Sequence, residues 1–376
     1  MRFPEPGPAF ERAPGPVPES VPRPASARPP EPASRPVPER AFRPALKLLS
    51  ALVPKMARKR MPVLARKRMP VLVRVRGPVF VRVFGPVLVV MVLAGCTGAP
   101  AQGLELKVAG AFGARPTVDF PDGKPAPGLQ VDELTTGKGA RLEPDDVAVV
   151  QYTAHVWDGG RNRLVDSSFT RGAPAAFPVG GLLPGLDRAL EGRTVGSRII
   201  AAVPPGDGFG PNPPRGVGPS DELFYVVDIL GAHHKGASVE GRAGTLAGVR
   251  VSAGARPALQ VPAAAPPARF ASTVLERGSG PKARPGRLVV TQYAGAVWGS
   301  RRVFDTTWTS GLPKAFKLGD GGLIRAWERA LTGVPAGSRV LMVVPPAYGY
   351  GAPGFPAYGI KGSDTLVFVV DVLAVY

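Results

Sequence analysis

The chain repeats itself at a fixed distance, and that limits what it can fold into. Val-Val-Gln-Tyr at 149–152 returns as Val-Thr-Gln-Tyr at 290–293, 141 residues later. Gly-Ala-Arg-Pro at 113–116 returns at 254–257, and Val203-Pro204-Pro205 returns as Val344-Pro345-Pro346, at the same spacing of 141. The offset widens to 143 between Val227-Asp228-Ile229-Leu230 and Val370-Asp371-Val372-Leu373, which places a loop change before the last motif. A unit of about 130–140 residues is a domain and not a solenoid turn. Whatever one copy folds into, the other must fold into as well, and the repeat includes the Pro/Ala-rich lead-in ahead of each strand-rich core.

Both copies carry the same local signals. Residues 147–157 and 287–298 are rich in Val, Tyr and Thr with turn residues at each end, which predicts strands. Residues 182–191 and 323–331 predict short amphipathic helices, each followed by Gly within one or two positions. Residues 198–203 and 339–344 are strands stopped by Pro-Pro, and 222–230 and 365–374 are closing strands. With strands dominant and one helix mid-domain, an antiparallel sheet with a helix across its one buried face is expected, an α+β class. The 46 Pro and 48 Gly also argue against a compact all-helical chain.

The N-terminal quarter is different. Residues 1–50 place Pro every few positions among Arg, Glu, Ala and Ser, which blocks both helix and sheet ladders and predicts disorder. A basic octet then recurs, as ARKRMPVL at 57–64 and 65–72, VRVRGPVF at 73–80 and VRVFGPVL at 81–88, grading from basic to apolar. An uncharged stretch from Val83 to Ala94 runs into Leu93-Ala94-Gly95-Cys96. A basic region, a short apolar run and small residues before a break make a secretory signal. About a dozen apolar residues fall short of the roughly 20 that a spanning helix needs. Leu-Ala-Gly-Cys resembles the lipobox of bacterial lipoproteins, which implies that Cys96 is lipidated and becomes the mature N-terminus. An uncleaved anchor or a buried strand is the competing reading. A basic region of some 80 residues is long for a signal peptide, and a start at Met61 or Met69 would leave one of ordinary length. The expected division is therefore a tail with basic repeats at 1–82, the signal segment at 83–96 and a tether at 97–103. A first domain at 104–235, a linker at 236–245 and a second domain at 246–376 complete it.

The net charge of +19 follows this division. Residues 1–95 carry 18 of the 47 Lys and Arg but only 5 of the 28 Asp and Glu, so the basic character belongs to the tail. With no recognisable nucleic-acid module beside that charge, nucleic acid is not the expected partner. The single Cys forbids an intramolecular disulfide, so both domains must be held by their cores. His233-His234 has no neighbouring Cys or acidic cluster, makes a poor metal site, and reads as linker. His155 sits on a strand outside any motif, and Gly206–Gly210 lacks the Lys-Ser/Thr of a phosphate loop.

The second copy carries a longer series of motifs. Gln-Tyr-Ala-Gly at 292–295, Val-Phe-Asp-Thr-Thr at 303–307 and Ala-Phe-Lys-Leu-Gly at 315–319 come first. Gly-Leu-Ile-Arg-Ala-Trp-Glu-Arg-Ala-Leu at 322–331, Gly-Ser-Arg-Val at 337–340 and Val-Pro-Pro-Ala-Tyr-Gly-Tyr-Gly at 344–351 follow. Asp-Thr-Leu-Val-Phe-Val-Val-Asp-Val-Leu at 364–373 closes the copy. This order resembles the FKBP-type peptidyl-prolyl isomerases over about 100 residues. The resemblance implies two domains, each a curved antiparallel sheet wrapped on one short helix, and an activity that needs no cofactor.

Carried over by position, the resemblance implies a pocket in which Tyr293, Asp305, Trp327 and Tyr350 are catalytic. Phe304, Phe316, Leu323, Ile324 and Phe368 would line it, with Phe355 and Ile360 in an overhanging loop. Trp327 would form the floor under a prolyl ring, Tyr350 would offer its hydroxyl to a substrate carbonyl, and Asp305 would orient polar groups at the rim. The chemistry suits such residues. Rotation about an X-Pro bond must break amide resonance, over a barrier of about 18–20 kcal/mol, and forms no new heavy-atom bond. A dry aromatic pocket that accepts the twisted amide better than the planar one lowers that barrier. The competing reading makes Phe304, Phe316, Trp327 and Phe368 ordinary core.

The first copy keeps Tyr152, Asp166, Phe177, Leu182 and Leu183. It has Val165 in place of Phe304, Leu186 in place of Trp327, Phe209 in place of Tyr350 and Tyr225 in place of Phe368. Loss of a hydroxyl and two aromatic surfaces is expected to weaken binding by about 1–3 kcal/mol and make this the slower domain. The expected partners are X-Pro segments of unfolded exported proteins, a membrane reached through the lipid on Cys96, and a rapamycin-type macrolide. The expected location is the outer face of a bacterial cytoplasmic membrane. The alternative from another class is a binding module or holdase chaperone with little turnover.

Overall fold

The computed structural model describes residues 106–376 apart from Gly159 and Arg161. The expected tail, signal segment, Cys96 and tether lie outside the described residues. The first repeat begins with a hairpin of β1 (Lys107–Ala109) and β2 (Thr117–Asp119). It continues through β3 (Gln130–Thr135), β4 (Val147–Trp157), β5 (Arg163–Ser167), β6 (Ala175–Pro178), β7 (Arg198–Val203) and β8 (Glu222–His233). The second begins with a small sheet of β9 (Gly244–Leu246), β10 (Val249–Val251) and β11 (Leu259–Gln260). Then come β12 (Ala271–Glu276), β13 (Leu288–Val297), β14 (Val303–Thr306), β15 (Lys314–Lys317), β16 (Ser338–Val344) and β17 (Leu366–Val375).

The two main sheets are copies of each other. Strand order is β3-β7-β8-β4-β5 in the first and β12-β16-β17-β13-β14 in the second, all antiparallel, with β6 added to β4 and β15 to β13. Even the irregularity is duplicated. The register slips between Val149 and Val150 in one and between Val290 and Thr291 in the other, each a bulge that bends its strand. The long central strands β4 and β13 are mostly Val, Ala and aromatic residues and are buried along nearly their whole length because they are covered on both sides.

One side of each sheet is covered by a helix, Pro184–Leu190 or Arg325–Leu331. The buried residues of the first helix are Gly185, Leu186, Ala189 and Leu190, and those of the second are Ala326, Trp327, Ala330 and Leu331. This repeat of i, i+1, i+4 and i+5 is the stripe that a 3.6-residue period turns to one face. Neither helix has a side-chain N-cap. Instead the Asp187 carboxylate accepts from the Gly180 and Leu182 amides, and the Glu328 carboxylate accepts from the Gly319 amide, which folds the preceding loop back onto the first turn.

The other side is covered too, and here the sequence expectation of a single buried face is corrected. In the first domain Trp157, Ile200, Ala202, Phe224 and Val226 pack under Leu106, Val108, Val118 and Phe120 of the lead-in. In the second, Trp298, Leu341, Val343, Val367 and Val369 pack with Val249 and Val251 of β10. The lead-in is thus a third layer, and this explains why it was duplicated with the core. His155 belongs to the same packing, with its ring 5.5 Å from that of Phe120.

Each third layer is pinned by one buried ion pair. Arg339 Nε and Nη2 donate to the two Asp371 carboxylate oxygens at 2.6 and 2.8 Å. Its remaining donors reach the carbonyls of Gly254 and Val239, both at 2.7 Å. Asp371 also accepts from Ser238 Oγ and the Val239 amide at 2.7 and 2.9 Å. Both side chains are fully buried. Arg198 and Asp228 repeat the arrangement, with the guanidinium reaching the carbonyls of Gly110, Ala111 and Ala114 and the carboxylate accepting from the Gly113 amide.

Two further expectations change. The stretch 236–245 enters the second domain, since Ser238 and Val239 bind Asp371 and Gly241 bridges to Gly254. The closing strand of the first domain runs on to His233, which is therefore not linker. His233 Nε2 lies 2.9 Å from the Tyr376 hydroxyl, and His234 Nδ1 lies 2.8 Å from Asp146. Val149 of the first sheet packs with Leu288 and Val290 of the second beside this contact.

Two outcomes follow from these buried groups. Arg339→Leu leaves the Asp371 charge unpaired in the core and is expected to cost about 3–5 kcal/mol, read as an earlier urea transition in tryptophan fluorescence. Burial pushes the His233 imidazole down to about 4 from its ordinary 6.5. Above pH 6.5 it is neutral folded or unfolded, and its contribution is fully present. As pH falls from 6.5 through 4 the unfolded chain takes up a proton that the folded one excludes, so stability is lost. Urea titrations between pH 7 and pH 4 should show a smaller loss in His233→Gln than in the parent.

Candidate functional site

The site of the second domain lies between the sheet and its helix. β13 carries Tyr293 and β14 carries Phe304 and Asp305, while β15 supplies Phe316 and β17 supplies Phe368. The loop before the helix contributes Leu323 and Ile324, and the helix places Trp327 one turn further on. β16 is ended by Pro345, and the tight turn Pro346–Tyr348 then delivers Tyr350. All ten apolar residues that the sequence proposed meet in one cluster. Tyr293, Trp327, Ile360 and Phe368 are buried in it, while Phe304, Phe316, Leu323, Ile324, Tyr350 and Phe355 are partly buried against it.

Trp327 is the hub. Its indole meets the rings of Tyr293, Phe316 and Phe368 edge-on, with centroids 5.2, 5.3 and 5.7 Å away. Phe304 meets Phe368 edge-on at 5.7 Å. Edge-to-face contacts set the positive rim of one ring against the negative face of the next and fix the angle between them. The Phe304–Phe368 contact also depends on a glycine. A Cβ on Gly295 would lie 2.6 Å from Phe304 and 2.7 Å from Phe368, so no larger residue fits there.

The polar edge is built around Tyr293. Its hydroxyl donates a short hydrogen bond to Asp305 and accepts from Lys314 Nζ at 3.1 Å. Lys314 also stands 3.5 Å from Asp305 and 5.5 Å from the Tyr293 ring centre. Burial and the Asp305 hydrogen bond push the Tyr293 phenol far up, so it stays a neutral donor. Tyr350 is pushed up to about 12 by burial, then by Tyr358 and Asp305, and it too stays protonated. Its ring stacks on Phe355 at 5.0 Å, and Phe355 stacks on Tyr358 at 5.0 Å.

The first domain builds the same site with different contents. Tyr152, Val165, Asp166, Phe177, Leu182, Leu183, Leu186, Phe209 and Tyr225 line one cavity of about 140 Å³, so all nine candidate positions converge. Tyr152 donates to Asp166 at 2.6 Å, and Arg171 bonds both the Tyr152 hydroxyl and Asp166. Burial raises the Tyr152 phenol as well. Leu186 and Val165 are smaller than the indole and benzyl groups they replace, which leaves the room.

Sequence reasoning missed several members of these sites. Lys314 and Arg171 both put a cation beside the Tyr–Asp pair, but from different positions of the repeat, so self-comparison hides them. Tyr358 in the second domain, and Pro214, Arg215 and Val217 in the first, come from the loop before the closing strand. A signal existed for that loop, because the two-residue change of offset falls within it.

A polar edge of neutral phenols around an aromatic floor has donors for a carbonyl and apolar surface for a ring. It offers no activated nucleophile, and amide rotation requires none.

Comparison with known proteins agrees with this geometry. The family model for FKBP-type peptidyl-prolyl cis-trans isomerases matches residues 138–230 and again 280–373. An FK506-binding protein of Streptomyces anulatus is 33% identical over 120 residues, covering 32% of this chain and 97% of the relative. The isomerase FKBP12 of Arabidopsis thaliana is 33% identical over 105 residues, covering 27% of this chain and 94% of the relative. The isomerase FkpA of Escherichia coli is 35% identical over 102 residues, covering 27% of this chain and 36% of the relative. The chain belongs to the FKBP-type peptidyl-prolyl cis-trans isomerases and carries two domains of that family.

Proposed function

We propose that the second domain carries most of the isomerase activity and that the enzyme assists the folding of exported proteins while held at the outer face of the cytoplasmic membrane by a lipid on Cys96. The observation that carries the catalytic part is the Trp327 hub with the neutral Tyr350 hydroxyl beside it. A prolyl ring on the indole, with its carbonyl near Tyr350, loses water around the amide. The planar amide, whose resonance makes it more polar, is disfavoured there relative to the twisted one. Asp305 and Lys314 hold the Tyr293 hydroxyl in place and so shape the polar edge that meets the chain on either side of the proline. X-Pro segments with an apolar residue before the proline fit this surface, and so does a macrolide of the rapamycin type. The first domain is assigned the slower turnover because Phe209 has no hydroxyl where Tyr350 has one.

A second reading, a groove that binds chain segments with little turnover, is favoured by one observation in the first domain, its unfilled cavity. Protease-coupled isomerisation of an Ala-Leu-Pro-Phe peptide separates the two. Tyr350→Phe in the full chain should lower kcat/KM about tenfold, near 1.4 kcal/mol of transition-state stabilisation, and Asp305→Ala should do likewise. Unchanged rates in both variants would overturn the assignment to the second domain. For the anchor, the Leu93-Ala94-Gly95-Cys96 sequence supports the reading. Labelling with a radioactive fatty acid in a bacterial host should mark the chain, and Cys96→Ala should abolish the mark. A labelled Cys96→Ala variant would refute the anchor.

A further inference from the structure

The pocket of the first domain differs from the second in the residues of its floor and in where its hydroxyl sits. Leu186 and Val165 leave an apolar cavity of about 140 Å³. An apolar cavity of about 150 Å³ takes a benzene-sized guest, so a five-membered prolyl ring would under-fill it and forfeit contacts along its wall. The altered residues come as a set. Gly295, Phe304 and Phe368 depend on one another in the second domain, and the matching positions here are Ala154, Val165 and Tyr225. Once Phe304 is replaced by Val165, room exists both for the Ala154 methyl and for the larger Tyr225.

Tyr225 supplies the second observation. It is only 6% exposed, it lines the cavity, and its hydroxyl has no hydrogen-bond partner among the described residues. Tyr152 and Asp166, also at the wall, are occupied, since they bond each other and Arg171. Burial, with Tyr152 and Asp166 close by, pushes the Tyr225 phenol up, so it is a neutral donor waiting for an acceptor. The fold does not demand that hydroxyl, because the second domain has Phe368 there.

The third observation is charge. Arg215 lines the same pocket at its exposed mouth, at the position that Tyr358 holds in the other repeat, ten residues before Tyr225 and Phe368 respectively. Two other arginines of the domain are paired, Arg163 with Asp221 and Arg188 with Asp207, while Arg215 has no carboxylate partner among the described residues.

We infer that the first domain's pocket receives a tyrosyl side chain from an acidic segment of an unfolded protein, with Tyr225 bonding the guest phenol and Arg215 meeting a neighbouring carboxylate. The ring fills the cavity, and the phenol oxygen is the acceptor that Tyr225 lacks. A phenylalanyl ring fits but leaves that hydroxyl unpaired, an indole exceeds the space, and a prolyl ring leaves part of it empty. This rests on reading the pocket as a groove for chain segments. The domain is then a capture site beside a catalytic one and not merely a slower copy.

Ligand-observed saturation-transfer NMR on the full chain tests this with p-cresol and toluene, which differ by the one hydroxyl. The parent should bind p-cresol at least fivefold more tightly than toluene. Tyr225→Phe, which installs the residue of the other repeat, should bring the two within twofold, and Leu186→Trp should weaken p-cresol at least tenfold by filling the cavity. A second arm compares the peptides Ac-Ala-Tyr-Glu-Ala-NH2 and Ac-Ala-Tyr-Gln-Ala-NH2. The first should bind about threefold more tightly at low salt, and Arg215→Gln should remove that preference. Equal affinity for p-cresol and toluene in the parent, or undiminished p-cresol binding by a Leu186→Trp variant whose circular dichroism is unchanged, would overturn the inference. These readouts are of binding, so they stand apart from the isomerase rates that test the catalytic assignment to the second domain.

Discussion

In each repeat a guanidinium and a carboxylate are buried together between the sheet and the lead-in that covers it. A pair of charges taken out of water is weak as a source of net stability, because the desolvation of both ions offsets much of their attraction. What it supplies is specificity. Arg339 reaches Asp371 on the neighbouring strand and the carbonyls of Val239 and Gly254 in the lead-in, so a displaced docking of that segment would strand buried donors. The third layer is thereby fixed against the outer side of the sheet, where Trp298, Leu341 and Val367 need cover. With that side closed, the inner side is free to be specialised, and the site is built there.

The two inner sides show how far one frame can be varied. Trp327, Phe304 and Phe368 make a floor of edge-on rings, and Gly295 lets them approach. Leu186, Val165 and Tyr225 dismantle that floor, and Ala154 takes up part of the space. The polar edge survives the change. Tyr152 and Tyr293 each bond an aspartate and a cation, although Arg171 and Lys314 come from different places in the repeat. Retention of the Tyr–Asp–cation group above two different floors separates the roles. On the proposed function, the edge would present oriented donors to a chain and the floor would decide what ring the chain must bring.

Much of this was legible in the residues. The duplication fixed two equal domains, and the Val-rich runs gave the central strands within one or two positions, with only β8 running three residues further. The order Tyr293, Asp305, Trp327, Tyr350 picked out residues that come together in the structure, since they meet through backbone elements that the pattern already placed. Three features were hidden for physical reasons. The lead-in read as Pro/Ala-rich because its strands are only two or three residues long, too short for a period to register. Asp228 and Asp371 lie in a motif that the self-comparison marks, and Arg198 and Arg339 open strands that the pattern places, but a charge inside a Val-rich strand gives no sign of its partner 30 or 32 residues away. Arg171 and Lys314 act through space from non-equivalent positions, which no alignment of the repeats can pair.

The hydroxyls make the last point about reading substitutions singly. Phe209 in place of Tyr350 is a loss, and Tyr225 in place of Phe368 is a gain, so counted separately they suggest a damaged pocket and an idle core change. Taken together they move one phenol from the rim to the interior wall. A donor at the rim meets backbone carbonyls, which every chain has, whereas a donor on the inner wall of a pocket meets only what enters it. With Tyr350 and Tyr225 in the roles proposed for them, the same functional group would shift from serving rotation of a common amide to selecting a particular side chain. The volume freed by Leu186 and Val165 is what lets such a side chain reach it.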